Sequence, residues 1–290
     1  MKTQKHVSQI IIAAAPHMVG DGFRVQSTLP GGTRSEGNRI SPFIMMDYAA
    51  PNYIPPSVRP KGVGEHPHKG FETVTIVYQG ELEHRDSTGS HGLLFPGDVQ
   101  WMTAAGGILH EEKYSDAFSK QGGKAEFAQL WVNLPKAFKN NPPSYQNLTQ
   151  AAIPVIKVSE EGYVRVIAGE YDGVKGAAST FSPVNVYDIH LKKDDKITLS
   201  IPENFNTAAV VFQGEADVNG QPLKGVETAL FEKEGTEIII TALKDTAMLV
   251  LSGEPIDEPI FAYGPFVMNT EDEIRTAIDD YNAGKMGVLN

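Results

Sequence analysis

His66-Pro67-His68 and His110-Glu111-Glu112 are the residues whose types and spacing could do chemistry in this chain. In an extended strand successive side chains point to opposite faces, so residues i and i+2 share a face. If both segments are strands, each presents two donors to one side, and two neighbouring strands could present four. Three imidazoles and a carboxylate form a nitrogen and oxygen donor set suited to iron, manganese, nickel, copper or zinc. Around a six-coordinate metal, such a set leaves open positions for substrate, dioxygen or water. That is the pattern of a reaction centre and not of a structural staple.

A histidine pair at this spacing also occurs on polar surfaces and at turn caps, so His66 and His68 alone carry little. Pro67 is compatible with a strand edge. The second pair adds weight, because it follows the turn Ala104-Ala105-Gly106-Gly107 and the apolar Ile108-Leu109, as a strand entering a core would. Four-ligand metal binding is therefore favoured over four unrelated polar residues. Glu72, four residues after His68, competes for the fourth position, since strand alternation from His66 and His68 places it inward if no bulge intervenes. Glu112 is preferred as the ligand and Glu72 as a carboxylate close by. His6, His17, His84, His91 and His190 read as solvated or hydrogen-bonded residues, and Trp101 and Met102 as core.

The elements that must position these residues are mostly short strands punctuated by Gly, Pro, Asn and Asp, the pattern of an all-β sandwich or barrel. Candidate strands include Phe23–Ser27, Glu72–Tyr78, Asp98–Thr103, Ala128–Asn133, Asn185–His190, Ala208–Gln213 and Ala247–Ser252. The apolar run Ile10–Ala15, stopped by Pro16, reads as a first strand and not as a signal-peptide core. An internal echo is visible: Thr75-Ile-Val-Tyr-Gln-Gly-Glu-Leu-Glu83 matches Ala209-Val-Val-Phe-Gln-Gly-Glu-Ala-Asp217 in pattern. Similar parts in similar order predict two copies of one β-domain. We expect an N-terminal metal-binding domain over 1–134, a Pro-rich linker over 135–154, and a second domain over 155–290 that repeats the scaffold without the ligands. One helix closes the chain: Thr270-x-x-Glu273 is a capping box, Ile274, Ala277, Ile278 and Tyr281 form an apolar stripe, and Gly284 is a C-terminal stop.

Composition narrows the function. The 290 residues carry a net charge of −11, which gives no electrostatic help toward nucleic acid or an anionic membrane. Cysteine is absent, so thiolate ligands, disulfides and cysteine nucleophiles are excluded together. No apolar run reaches the length of a membrane span, and a cytoplasmic protein is the expectation. No Gly-x-Ser-x-Gly elbow, phosphate loop or zinc-finger spacing is present.

The motifs His66-Pro-His-Lys-Gly-Phe-Glu-Thr73, Pro96-Gly-Asp-Val-Gln-Trp-Met-Thr-Ala104 and Gly107-Ile-Leu-His-Glu-Glu112 resemble the pirin family. So do Gln129-Leu-Trp-Val-Asn-Leu134, Arg165-Val-Ile-Ala-Gly-Glu170 and Gly264-Pro-Phe-Val-Met-Asn-Thr270, so the likeness covers nearly the whole chain. The resemblance implies a bicupin: two antiparallel β-barrel domains of the double-stranded β-helix, or jelly-roll, kind, with a C-terminal helix. It implies one divalent metal in the N-terminal barrel, Fe(II) first and Mn, Ni, Cu, Zn or Co as alternatives, on His66, His68, His110 and Glu112. It also implies a quercetin 2,3-dioxygenase-like activity on a small aromatic substrate such as a flavonol, with Glu112 as catalytic base. The alternative is a metal- and redox-responsive regulator that binds a transcription factor or metabolic enzyme as protein partner. Glu111 and the pair Lys113-Tyr114 depart from the family pattern without touching a ligand position; both are expected at the pocket rim.

Overall fold

The computed structural model describes residues 3–29, 31 and 39–289. Its strands gather into two compact units that interleave along the chain. One comprises Ala15–Ser27, Ile44–Gln150 and Ile256–Asn290, and the other Met1–Ala14, Thr28–Phe43 and Ala151–Pro255. The first contains both ligand pairs and is called the histidine unit below.

Each unit pairs a seven-stranded with a four-stranded sheet. In the histidine unit the larger sheet runs in the order Ser144–Leu148, Val99–Thr103, Phe71–Gln79, Gly123–Asn133, Phe43–Ile54, Phe23–Ser27, His17–Val19. The smaller runs Gly62–His68, Ile108–Tyr114, Leu82–Asp86, His91–Leu94. Eight of the nine neighbouring pairs in these two sheets have a defined register, and each of the eight is antiparallel. Neither sheet closes on itself, so the expected barrels are open two-sheet sandwiches: the end strands of each sheet pair on one side only.

The internal echo marks the place where the chain passes from one sheet to the other. Phe71–Gln79 belongs to the large sheet and Leu82–Asp86 to the small one, with Gly80-Glu81 between them. Asn206–Gln213 and Glu215–Val218 repeat this in the second unit around Gly214. Both glycines have positive φ, +84° and +82°, and a Cβ on Gly214 would stand 2.0 Å from the Asp245 carbonyl oxygen. Glycine is repeated because the crossing needs a left-handed residue pressed against backbone.

The unit boundaries differ from those drawn at 134 and 155. Val7–Ile12 pairs with Glu227–Phe231 and so lies in the second unit. The segment 135–154 is no passive linker, because Ser144–Leu148 extends the large sheet of the histidine unit against Val99–Thr103. The closing helix, Glu271–Asn282, also packs in the histidine unit: Ile274 and Ala277 join Leu109, Phe266, Met268 and Met286 in one apolar cluster. Its start is the capping box expected, with Thr270 accepting from the Glu273 N–H and the Glu273 carboxylate accepting from the Thr270 N–H. Gly284, at φ +72°, follows the C-cap Ala283.

The two interiors differ in chemistry. In the second unit twenty buried apolar residues from both sheets, among them Ala209, Val218, Val250 and Ile240, fill the space between the sheets. In the histidine unit an apolar cluster including Phe23, Val77, Leu82, Leu94, Tyr114 and Phe127 occupies one part of the interior, and polar residues occupy another.

Candidate metal centre

His66, His68, His110 and Glu112 sit on two adjacent strands of the small sheet, as their spacing predicts. Gly62–His68 and Ile108–Tyr114 are antiparallel neighbours with His110 directly opposite His66. Pro67 is accommodated because Gly62–His68 is an edge strand. The register then slips, so that Glu112 faces Val63. The slip is a bulge, in which Gly64 and Glu65 oppose the single residue Glu111.

The three imidazoles converge. Ring centroids lie 4.2 Å apart for His66 and His110, and 4.8 Å apart for His66–His68 and His68–His110. The Nε2 atoms of His66 and His68 are 3.2 Å apart. His66 Nδ1 donates to the Gly64 carbonyl at 2.8 Å, which leaves its Nε2 as a lone pair. His110 Nε2 is buried without a hydrogen-bond partner. Burial, reinforced by the neighbouring histidines, holds the His68 and His110 imidazoles well below their ordinary value, so both are neutral at pH 7. An orphaned buried nitrogen beside facing imidazole nitrogens is a donor set that a cation would satisfy.

Among the described residues two groups could hold a metal ion, each offering ligand atoms within 4.8 Å of one another: His66, His68 and His110, and His84, His110 and Glu112. His110 belongs to both. Glu112 stands with His110 and His84, and its carboxylate is held from the opposite sheet. Oε2 accepts from Gln129 Nε2 at 2.6 Å, and Oε1 from Thr75 Oγ1 at 3.1 Å and Gln100 Nε2 at 3.5 Å. Gln100, Thr75 and Gln129 are register partners on three neighbouring strands, so one transverse row of the large sheet meets this carboxylate.

Glu72 is not beside the site. Thr75 on the same strand faces Glu112, so Glu72 points to the other face of that sheet, where it accepts from Thr103 Oγ1 at 2.7 Å. Alternation from His66 and His68 fails because the chain leaves the small sheet at Lys69-Gly70 and enters the large one at Phe71. Burial pushes the Glu72 carboxyl up to about 7. A carboxyl raised on folding contributes stability below its unfolded value, lost as pH rises through its folded one. Glu72→Gln keeps the Thr103 bond and should therefore be the more stable protein at pH 8, by an amount on the order of 3 kcal/mol. The gap should close toward pH 4.5 and metal uptake should not change; urea denaturation at several pH values measures it.

Sequence reasoning missed His84, which is fully buried, 5.4 Å from His110 between ring centroids and stacked on Tyr145. It missed Thr75, Gln100 and Gln129 too. The one available signal was that His84 and Asp86 share a strand face with the core residue Leu82. Met102 packs with Ala104, Ile108 and Tyr145 as core. Glu111 and Lys113 pair with each other on the outer face of their strand, opposite to His110 and Glu112, and not on the pocket side. Tyr114 shares the inner face but is buried against Phe23 and Phe118.

Two-sheet units repeated in one chain, one of them carrying histidines and a carboxylate on adjacent strands, define a cupin-type protein. The chain belongs to the pirin family: the family model Pirin matches residues 22–132 and the model Pirin C-terminal cupin domain matches residues 186–287. A Pseudomonas aeruginosa protein named "Putative quercetin 2,3-dioxygenase" is 49% identical over 282 residues, 97% of this chain and 98% of that one. Pirin-like protein 2 of Arabidopsis thaliana is 36% identical over 278 residues, 92% of this chain and 81% of that one. The crystal structure of quercetin 2,3-dioxygenase from Acinetobacter baumannii matches with a TM-score of 0.95 at 49% identity, covering 98% of this chain and 99% of that one. Among the described residues no helix is long and apolar enough to cross a membrane.

Proposed function

We propose that this pirin is a metal-dependent dioxygenase of the quercetin 2,3-dioxygenase type, acting on a flavonol-like aromatic substrate. One divalent metal, iron(II) in first place, would be held by His66, His68, His110 and Glu112. The observation that carries this reading is the convergence of three imidazoles, two of them buried, with the His110 Nε2 lone pair unpartnered. The names of the 49% identical relatives point the same way.

A bound metal would supply Lewis acidity and redox capacity. The chain's own groups do the rest. Glu112 serves as the base for a substrate hydroxyl proton, and Oε1 is the atom to take it: its bonds from Thr75 and Gln100 are longer than the Gln129 bond to Oε2. Gln129, Thr75 and Gln100 orient that carboxylate. Trp131 and Phe71, at 5.2 and 4.9 Å from the His68 ring, give the site an aromatic wall that excludes water and suits a planar substrate.

Turnover of quercetin by the iron-loaded protein under air, with release of carbon monoxide, is the expected result. Failure with iron, manganese, nickel, copper, zinc and cobalt alike would overturn it. Metal-state-dependent capture of a transcription factor or metabolic enzyme in that case would establish the regulator reading instead.

A further inference from the structure

Behind His110, away from His66 and His68, lie two buried polar groups, Asp86 and His84, to which the reaction as described gives no role. Asp86, His84 and His110 are 4%, 0% and 0% exposed. His84 Nε2 stands 3.0 Å from Asp86 Oδ2, and His84 Nδ1 stands 3.5 Å from His110 Nδ1. Gln100 Nε2 lies 3.2 Å from that same His84 Nδ1 and 3.5 Å from Glu112 Oε1.

The proton positions follow from which atoms can accept. A carboxylate only accepts, so His84 carries its proton on Nε2 and donates it to Asp86. His84 Nδ1 is then a lone pair, which agrees with the amide hydrogens of Gln100 being divided between two acceptors, His84 Nδ1 and Glu112 Oε1. Facing that lone pair, His110 carries its proton on Nδ1. Its Nε2, the buried nitrogen without a partner, is left as a lone pair on the side of His66 and His68. Asp86 is well placed to anchor the chain, because its other oxygen is fixed independently. Oδ1 accepts from Thr88 N at 2.8 Å, Thr88 Oγ1 at 2.6 Å and Ser90 N at 3.1 Å. Burial works against the Asp86 carboxylate, yet the bonds from His84 and Thr88 hold it below its ordinary value. By the internal echo, the residue of the second unit that corresponds to His84 is Val218, part of an apolar core.

We propose that Asp86 and His84 are positioning residues that set the tautomer of His110 and thereby keep its Nε2 free to bind a divalent metal. The proposal deepens the metal reading above and rests on it for the consequence, though not for the tautomers themselves. Asp86→Asn is the informative change. The amide oxygen can keep the Thr88 and Ser90 bonds, while the amide nitrogen meets His84 Nε2 as donor against donor. His84 must then move its proton to Nδ1, and His110, facing a donor, must move its own to Nε2, the nitrogen the metal needs.

Histidine tautomers are read by long-range ¹H–¹⁵N correlation on the ¹⁵N-labelled metal-free protein, and affinity by competition for cobalt(II) or iron(II) with a chromophoric chelator. Wild type should show His84 protonated at Nε2 and His110 at Nδ1. Asp86→Asn should reverse both and weaken metal binding by roughly 10- to 100-fold. Thr88→Ser keeps both the hydroxyl and the backbone bonds to Asp86, and should leave tautomers and affinity as in wild type. A proton on His84 Nδ1 in wild type, or an Asp86→Asn protein within twofold of wild-type affinity, would overturn the proposal. Should Asp86→Asn not fold, the wild-type tautomers alone decide, since they need no variant. Wild type with the expected tautomers that takes up no metal would uphold the tautomer assignment and sink the metal reading alone.

Discussion

Replacing His110 with alanine is expected to abolish stoichiometric metal uptake while leaving the second unit folded. Among the described residues His110 is common to both groups of side chains that could hold a metal, so neither group survives its loss intact. Metal content should fall from about one ion per chain to near zero, since removing the residue common to both groups leaves His66, His68 and Glu112 without the imidazole that links them. The second unit shares no residue with the pocket, and its apolar interior should keep a native-like spectrum. Elemental analysis after metal loading, with amide spectra of residues 155–255, checks both halves; wild-type metal content in the variant would refute the site. A pH effect accompanies this one. Because burial holds the His110 imidazole below its ordinary 6.5, the unfolded chain binds a proton there that the folded one does not, so stability of the metal-free protein falls as pH drops below 6.5. The variant should lose part of that acid limb.

Lys139→Met should destabilise the histidine unit by an amount on the order of 3 kcal/mol. The lysine is almost wholly buried, and its Nζ donates to the Gly70 carbonyl at 2.6 Å, Asn133 Oδ1 at 2.6 Å and the Val267 carbonyl at 2.9 Å. Methionine fills a similar volume but leaves three buried acceptors without a donor, and unmade buried hydrogen bonds cost far more than made ones contribute. Gly70 lies two residues from His68, and Val267 lies on the segment that leads into the closing helix, so one ammonium group ties the metal strand's exit to the C-terminal latch. Chemical denaturation followed by tryptophan fluorescence measures the loss; a shift under about 0.5 kcal/mol, the range of an ordinary surface substitution, would show the three bonds to be unimportant.

Several features were legible from residues alone because the physics behind them is local. Two donors at i and i+2 share a strand face whatever the rest of the chain does, so the two histidine-bearing pairs stood out. A capping box satisfies the first N–H groups of its own helix, so Thr270 and Glu273 announced the start of Glu271–Asn282. The echo around Gln79-Gly80-Glu81 and Gln213-Gly214-Glu215 disclosed the duplication, because the crossing between sheets needs glycine in both copies. Phe43–Ile54 escaped notice, since its first half is buried with no alternation to mark it as a strand.

By itself, then, the sequence determined the donor types, their pairing on strands, the duplicated scaffold and the closing helix. Only the tertiary structure decided the company that those donors keep. Glu72 was lost to the site because a chain that changes sheets at Lys69-Gly70 also changes which face points inward. Thr75, Gln100 and Gln129 were gained because strand register, a long-range property, sets them in one row opposite Glu112. His84 read as a solvated or hydrogen-bonded residue away from the site until its strand was placed next to that of His110. The helix read as part of the second half, and it packs instead on Leu109, the residue before His110. Periodicity along a strand is written in neighbouring residues, whereas the partner across the sheet, and the sheet across the core, are chosen by pairing and burial over the whole chain.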